Sequence, residues 1–398
     1  MKKFLHKLKS VSIWDYAHVV LFVLAIIPSR ILKRRRPKMW LVCEYGKEAR
    51  ENGYYFYKYV RENHPEQDIV YAIELDSEDA NNVISLGEVV PYGTLKHWIY
   101  YLAADINISS HKGGKPNAAV CYFLEIYGFW KNKRVFLQHG ITKDRTEIFM
   151  YPNTKFRLFV CGAEPEYNFV KETFGYPEGY VCYTGLARFD KLHEPISSKK
   201  QILVAPTWRS WLRRAGSDPY KSGANKDIEK SEYYKAWECF LQSSRLADIL
   251  EKYNFELVFY PHRNVLECFN KIKVDTLRIR IADYHTSDLQ RLMRESMIMI
   301  TDYSSAVMDF AYTYKPVIYY QFDTVEFRRK HLEKGYYDYE RDGFGPVCVK
   351  QDDLFYQIEK MLSEQCTLSL DYKKKIEKFF TLHDNQNCLR IYKEIKKL

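Results

Sequence analysis

Four short segments of this chain attach residues able to move protons or hold anions to the ends of apolar runs. In Phe136-Leu-Gln-His139-Gly140-Ile-Thr-Lys143-Asp144, an apolar run delivers an imidazole followed at once by glycine. Histidine takes a proton near neutral pH, and glycine lets a ligand approach the backbone. His139 is therefore the candidate general base and Asp144 the alternative, with Gly140 and Lys143 beside them, next to the group that would give up the proton. Ala205-Pro-Thr207-Trp-Arg209 and Phe259-Tyr-Pro-His262-Arg263-Asn264 each place a hydroxyl or an imidazole next to a guanidinium, whose planar fork suits phosphate oxygens. The strongest segment is Met297-Ile-Met-Ile-Thr301-Asp-Tyr-Ser304-Ser305-Ala-Val-Met-Asp309. There an apolar run ends at Thr-Asp and two serines open a helical segment, so hydroxyls, amides and the positive helix end converge on an anion. Asp309 lies about one turn further on, within reach of a hydroxyl-rich part of the same ligand.

Such residues need strand ends to present them. After Pro37, short apolar runs alternate with helix-length amphipathic segments. Met39–Glu44, Asp68–Ile73, Ile106–Ile108, Arg134–Gln138, Arg157–Cys161 and Tyr180–Thr184 read as buried strands. The rhythm restarts with Gln201–Ala205, Glu256–Tyr260, Arg278–Ile281, Met297–Ile300 and Pro316–Tyr320. The pattern predicts an α/β protein with two open parallel sheets. The expected domains are 39–190 and 201–398, joined by a polar linker at 191–200 that contains Pro195, with a cleft between them. Arg213–Asn225, Gly-rich and long, reads as a loop near the ligand or an insertion. Ligands of open α/β sheets bind beyond the carboxyl ends of the strands, where all four segments fall.

The formal net charge is +10, but its distribution argues against nucleic acid. Residues 1–38 hold ten basic side chains and one acid, leaving the other residues at +1. A nucleic-acid groove would spread charge along the folded body, whereas charge flanking an apolar run suits anionic lipid. The run Val19–Ile27 is nine residues long and bounded by Pro28, too short to span a bilayer. Residues 1–38 are thus expected to form an interfacial, membrane-associating helix rather than a signal peptide, since no small-residue cleavage site follows. The nine cysteines include no Cys-x-x-Cys pair and sit in apolar contexts, which suits a reducing compartment.

In combination, Gln-His139-Gly140, Thr184-Gly-Leu-Ala-Arg188-Phe-Asp190, Ala205-Pro-Thr-Trp-Arg209, Pro261-His262, Thr301-Asp-Tyr-Ser-Ser-Ala-Val-Met-Asp309 and Lys315-Pro-Val-Ile-Tyr carry a resemblance. The chain resembles the CDP-glycerol glycerophosphotransferase family of teichoic-acid primases and polymerases and their capsule-associated relatives. The resemblance implies a GT-B fold, with an N-terminal acceptor domain and a C-terminal donor domain. It implies CDP-glycerol as donor, a lipid-linked polymer as acceptor, CMP as product, and attachment to the cytoplasmic face of the bacterial membrane. His139 matches the catalytic base, and His262, Ser304 and Ser305 match the holders of the donor pyrophosphate. Thr207, Arg209, Arg263, Thr301 and Asp309 are expected to complete the donor site. The family often shows Trp-His-Gly-Thr-Pro where this chain has Gln138-His-Gly-Ile-Thr142, a departure beside the acceptor. No metal or cofactor is expected, because no Asp-x-Asp or carboxylate cluster offers ligands. A CDP-ribitol phosphotransferase, a nucleotide-sugar glycosyltransferase and a catalytically silent binding module are the rival readings.

Overall fold

The computed structural model describes residues 13–212, 227–274, 276–330 and 333–398. The expected loop at 213–225 and the basic side chains of residues 1–12 lie outside the described residues. Two compact units are present.

The first unit contains a seven-stranded sheet in the order β3-β2-β1-β4-β5-β6-β7, every pairing parallel. Its strands are β1 (Trp40–Val42), β2 (Ile69–Ile73), β3 (Val89–Pro91), β4 (Ile106–Ser109), β5 (Lys133–Phe136), β6 (Leu158–Cys161) and β7 (Val181–Tyr183). The second unit contains a six-stranded parallel sheet, β10-β9-β8-β11-β12-β13. Its strands are β8 (Gln201–Val204), β9 (Glu256–Phe259), β10 (Ile279–Ile281), β11 (Ile298–Thr301), β12 (Val317–Tyr320) and β13 (Val347–Cys348). In both sheets the first strand in sequence is central and the order reverses beside it, between β1 and β4 and between β8 and β11. These are the switch points at which a doubly wound sheet opens a ligand crevice. The helices needed below are α1 (Ile13–Arg35), α2 (Asn52–Asn63), α3 (Leu95–Ala103), α4 (Ala118–Ile126), α5 (Leu289–Glu295), α6 (Ala306–Tyr312), α7 (Thr324–Lys330) and α8 (Asn387–Lys396).

All eleven expected strands form. The two unforeseen ones, β3 and β13, are the short edges of their sheets, and edge strands need neither length nor a continuous apolar run.

The expected domain boundaries need correction in two places. The first unit comprises the described residues up to Ile141, Thr146–Lys191 and Asp384–Leu398, so the chain's last segment does not belong with 201–383. Cys388, Ile391, Tyr392 and Ile395 recur at helical spacing on α8, and this apolar face packs with Trp40, Phe56 and Val60. Conversely, Thr142–Arg145 belongs to the second unit.

The apolar stretch near the start also differs from expectation. Helix α1 does not stop at Pro28 but runs 23 residues, with Ser29 Oγ donating to the Ile26 carbonyl at 2.8 Å just past the proline. By length and composition Trp14–Arg35 is sufficient to cross a membrane. One side of α1 nevertheless docks on the first unit. Ala25 is buried, Phe22 meets Trp98 edge-on at 5.6 Å, Trp98 Nε1 donates to His18 Nδ1 at 3.0 Å, and Asn117 Nδ2 donates to Asp15 at 2.8 Å. The other side exposes Val19, Val20, Val23, Leu24, Ile27 and Ile31.

Candidate functional site

In the first unit the strand ends nearest the switch point converge on His139. The chain leaves β5 through Gln138, whose φ of +60° is a left-handed conformation unusual for a side chain of this size. Its neighbours fix the turn. Asn52 Nδ2 donates to the Gln138 carbonyl at 2.7 Å, and Gln138 Nε2 donates to the Val160 carbonyl at 2.6 Å and to Glu166 at 3.0 Å. Turning the chain here keeps Gln138 buried and brings the His139 ring to the surface. Arg188 holds the following peptide, its Nη1 donating to the His139 carbonyl at 2.7 Å and to Glu51 at 2.6 Å. The imidazole stacks on His111, from the end of β4, at 5.1 Å and 21°, and His111 stacks on Tyr45, from the end of β1, at 4.0 Å. Although the His139 ring reaches solvent, the protein around it displaces enough water to lower its pKa to about 4, and the Arg188 charge acts in the same direction. The ring is therefore neutral at pH 7 and able to accept a proton.

Arg188 and Asn52 were not foreseen as site residues. Arg188 stands in the Thr184–Asp190 motif, but nothing in sequence marks it as the support of a histidine 49 residues earlier.

In the second unit, Thr207 follows β8, His262 follows β9 and Ser304 follows β11, three adjacent strands. His262 stacks on Trp208 with ring centroids 6.0 Å apart and planes 14° apart. Its Nδ1 accepts from the Asn264 amide at 3.3 Å, which leaves the proton on Nε2 as a donor toward a ligand. Burial, aided by the Arg263 charge, lowers the His262 pKa to about 4. Two buried polar atoms beside it, Thr207 Oγ1 and Asn264 Oδ1, have no hydrogen-bond partner. Unsatisfied buried groups are costly, and ones lined up at a switch point are suited to a bound ligand. Ser304 Oγ accepts from the Ala306 amide at 3.2 Å as helix α6 begins, and Ser305 is half-exposed next to it. Arg263 lies over the Tyr284 ring at 5.8 Å.

Several expected site residues have other work. Arg209 is fully buried: its Nε and Nη2 donate to Asp323 at 2.7 and 3.0 Å, and its Nη1 pairs with Asp302 at 2.8 Å and with the Thr207 carbonyl. Tyr233, Tyr303 and Phe327 surround the guanidinium. It is no open phosphate fork, because it binds two carboxylates inside the protein. Asp302 in turn accepts from the Thr207 amide at 2.7 Å, so Arg209 positions the Thr207 turn rather than a ligand. Thr301 is buried and donates to the Ala205 carbonyl at 2.7 Å, tying β11 to the end of β8. Asp309 is buried and accepts from Gln290 of α5 at 2.9 Å.

Lys143 and Asp144 belong to the second unit, whereas His139 and Gly140 belong to the first. Lys143 Nζ donates to the Tyr303 carbonyl at 2.6 Å and to the Tyr339 hydroxyl at 2.8 Å, and burial lowers its pKa to about 8. Rather than flanking an acceptor, it supports the Thr-Asp-Tyr-Ser-Ser turn. Asp144 is paired with Arg328 of α7 at 3.2 Å, so its carboxylate is already engaged by a cation within the second unit. Among the described residues, no cluster of three or more His, Cys, Asp or Glu is arranged to hold a metal ion.

Two doubly wound parallel sheets, each carrying its polar strand-end residues beside its switch point, define a chain of GT-B-like architecture. The chain belongs to the CDP-Glycerol:Poly(glycerophosphate) glycerophosphotransferase family, whose model matches residues 27–397. It is 31% identical over 375 residues to the minor teichoic acid biosynthesis protein GgaB of Bacillus subtilis (strain 168), covering 91% of this chain and 40% of GgaB. It is 23% identical to the teichoic acid poly(glycerol phosphate) polymerase of the same strain, over 88% of this chain and 48% of the polymerase. The chain thus spans less than half the length of either relative. Among solved structures it is similar to a variant of the wall teichoic acid polymerase TagF soaked with CDPG, with a TM-score of 0.65 and 16% identity over 99% of this chain and 98% of that one.

Proposed function

We propose that this chain transfers glycerol phosphate from CDP-glycerol to a hydroxyl of a lipid-linked cell-surface polymer, in teichoic acid or capsule synthesis, and releases CMP. The observation that carries the reading is the exposed imidazole of His139, presented at the end of β5 in a chain that the family model matches from residue 27 to 397. The acceptor oxygen attacks the glycerol-side phosphorus, the bond from that phosphorus to the bridging oxygen breaks, and His139 takes the hydroxyl proton. Phosphoryl transfer relies on positioning and charge neutralisation, with little covalent help from the protein. His262 Nε2–H, Arg263, the Thr207 hydroxyl and Ser304–Ser305 are suited to the charge that develops on departing CMP. Asn264 Oδ1, an acceptor, suits a hydroxyl of the donor instead, and Arg209, Thr301 and Lys143 brace the turns that carry the set. Asp309, buried and accepting from Gln290 of α5, is supporting structure as well. The reaction as written calls for no cofactor.

The same proposal places the chain on the cytoplasmic membrane surface. Helix α1 supports this placement, because its docked side keeps it on the first unit while its opposite side exposes an apolar stripe flanked by Lys33, Arg34 and Arg35. A CDP-ribitol donor is the second reading, since the departure at Gln138–Thr142 adjoins His139. CMP release measured across CDP-glycerol, CDP-ribitol and UDP-sugars tests the assignment. CMP from CDP-glycerol supports it, CMP from CDP-ribitol alone moves it to the second reading, and UDP from a UDP-sugar replaces it with glycosyl transfer.

A further inference from the structure

At the opposite end of β5 from His139, the first unit has a pocket of about 280 Å³ that the reaction does not use. Three segments form it: Ser29, Arg30 and Lys33 of α1, the end of α3 with Asp105 just before β4, and Trp130–Lys133 leading into β5. Four cations, Arg30, Lys33, Lys131 and Lys133, face one carboxylate, Asp105, which Lys133 Nζ approaches at 3.3 Å. The pocket also contains an unused donor. Asn132 Oδ1 accepts from Trp130 Nε1 at 2.9 Å, which fixes the amide's orientation, and its buried Nδ2 has no partner.

The surroundings identify the kind of ligand. Helix α1 exposes Ile27 and Ile31 within one turn of the pocket residues Arg30 and Lys33. Trp130 packs edge-on against Phe22 of α1 at 6.2 Å, and the turn after α4 exposes Tyr127 and Phe129 immediately before it. Aromatic and aliphatic side chains next to a cationic pocket form an amphipathic boundary, on which acyl chains can lie while a charged group sits in the pocket. A diffuse basic surface would attract any anion, but it would not require a cavity with an unsatisfied amide donor inside it.

We infer that this pocket binds the phosphodiester headgroup of an anionic membrane glycerophospholipid, with Lys131, Lys133, Arg30 and Lys33 around the phosphate and Asn132 Nδ2 donating to one of its oxygens. The inference rests on the membrane-surface reading of α1 and deepens it from general attraction to recognition at one site. Docking a headgroup there would fix the orientation of the first unit on the bilayer.

The test uses the full chain with phosphatidylcholine vesicles, with and without phosphatidylglycerol, and compares two variants that lose equal charge. Lys131→Gln with Lys133→Gln alters the pocket, whereas Arg34→Gln with Arg35→Gln alters α1 outside it. Both should keep the parent melting temperature. The pocket pair should lower the partition coefficient on phosphatidylglycerol vesicles about tenfold more than the control pair. A water-soluble short-chain phosphatidylglycerol below its micelle threshold should bind the parent saturably, resist competition by inorganic phosphate, and fail to bind the pocket variant. Equal losses in the two pairs would overturn the site and leave only diffuse attraction. Equally tight binding of inorganic phosphate would make it a free-phosphate site and also overturn the assignment. If the parent sediments with neither kind of vesicle, the membrane reading itself fails, a result distinct from equal losses.

Discussion

A guanidinium has five donors, and what it can bind depends on whether those donors remain open. At Arg209 two carboxylates take them, so the residue that resembles a phosphate fork in sequence acts as a buried cross-brace. Its type was legible, but its partners Asp302 and Asp323 lie 93 and 114 residues away, beyond any local pattern. Arg209→Met should leave both carboxylates buried without a cation and cost about 3–5 kcal/mol, the usual penalty for breaking a buried pair. Urea unfolding should show that loss, and a change within about 0.5 kcal/mol would contradict the bracing role. His139 and His262 were legible because each follows a strand directly. Arg188, Asn52 and Asn264 were not, because their importance lies in the atoms they meet or leave unmet. His97 offers a separate test through pH. It is fully buried on α3, its Nδ1 accepts from the Gly93 amide at 3.1 Å, and burial lowers its pKa to about 3. The unfolded chain protonates it from about pH 6.5 downward while the native protein does not, so its contribution makes stability fall as pH drops from 6.5 towards 3. Glu44, raised to about 7 by burial, acts in the opposite sense between pH 7 and its ordinary range, so the measurement must be differential. Between about pH 3 and 6.5 the slope of unfolding free energy against pH should be less positive in His97→Gln than in the parent by up to about 1.4 kcal/mol per pH unit. Parallel curves would show that His97 titrates normally.

Among the elements, buried central strands are the easiest to recognise, because a parallel sheet covered on both faces makes them continuous apolar runs. The short edges β3 and β13 lack such runs. The fate of α8 was hidden for a different reason. Its amphipathic face is plain in sequence, but the surface it covers includes Trp40, Phe56 and Val60 of the first unit, more than 320 residues earlier in the chain. The Thr184–Asp190 motif turns out to be its seat. Asp190 accepts from the Asn387 amide and Nδ2 at 2.9 and 2.7 Å and from the Cys388 amide at 2.9 Å, capping α8 from outside the helix. Gly185, at φ +78°, lies so close to Asn387 Oδ1 that a Cβ there would overlap it. Asp190→Ala should therefore destabilise the protein by about 1–2 kcal/mol, the range of a lost helix cap. Hydrogen exchange should localise the loss to 387–396, and unchanged protection there would contradict the capping role. The same motif carries Arg188, so one short segment both seats α8 and supports the His139 peptide.

For the whole molecule, the proposed transfer assigns proton acceptance to His139 of the first unit and charge stabilisation to His262, Thr207 and the Ser304–Ser305 turn of the second, with the Asn264 Oδ1 acceptor left for a ligand hydroxyl. The two-sheet architecture was legible from periodicity, and the positions of His139 and His262 at strand ends from their motifs. The transfer of Thr142–Arg145 and α8 between units was not, because it depends on tertiary packing. The division predicts separable kinetics. His262→Ala should raise the donor KM along with any fall in kcat, because its contact exists before and during the reaction. The most direct measurement is single-turnover CMP release from CDP-glycerol by His139→Ala, with donor affinity by calorimetry and melting temperature measured on the same preparation. The account predicts turnover lower by about 10²–10⁴-fold, with affinity and melting temperature close to the parent values. Turnover near the parent level would contradict it and place the base elsewhere.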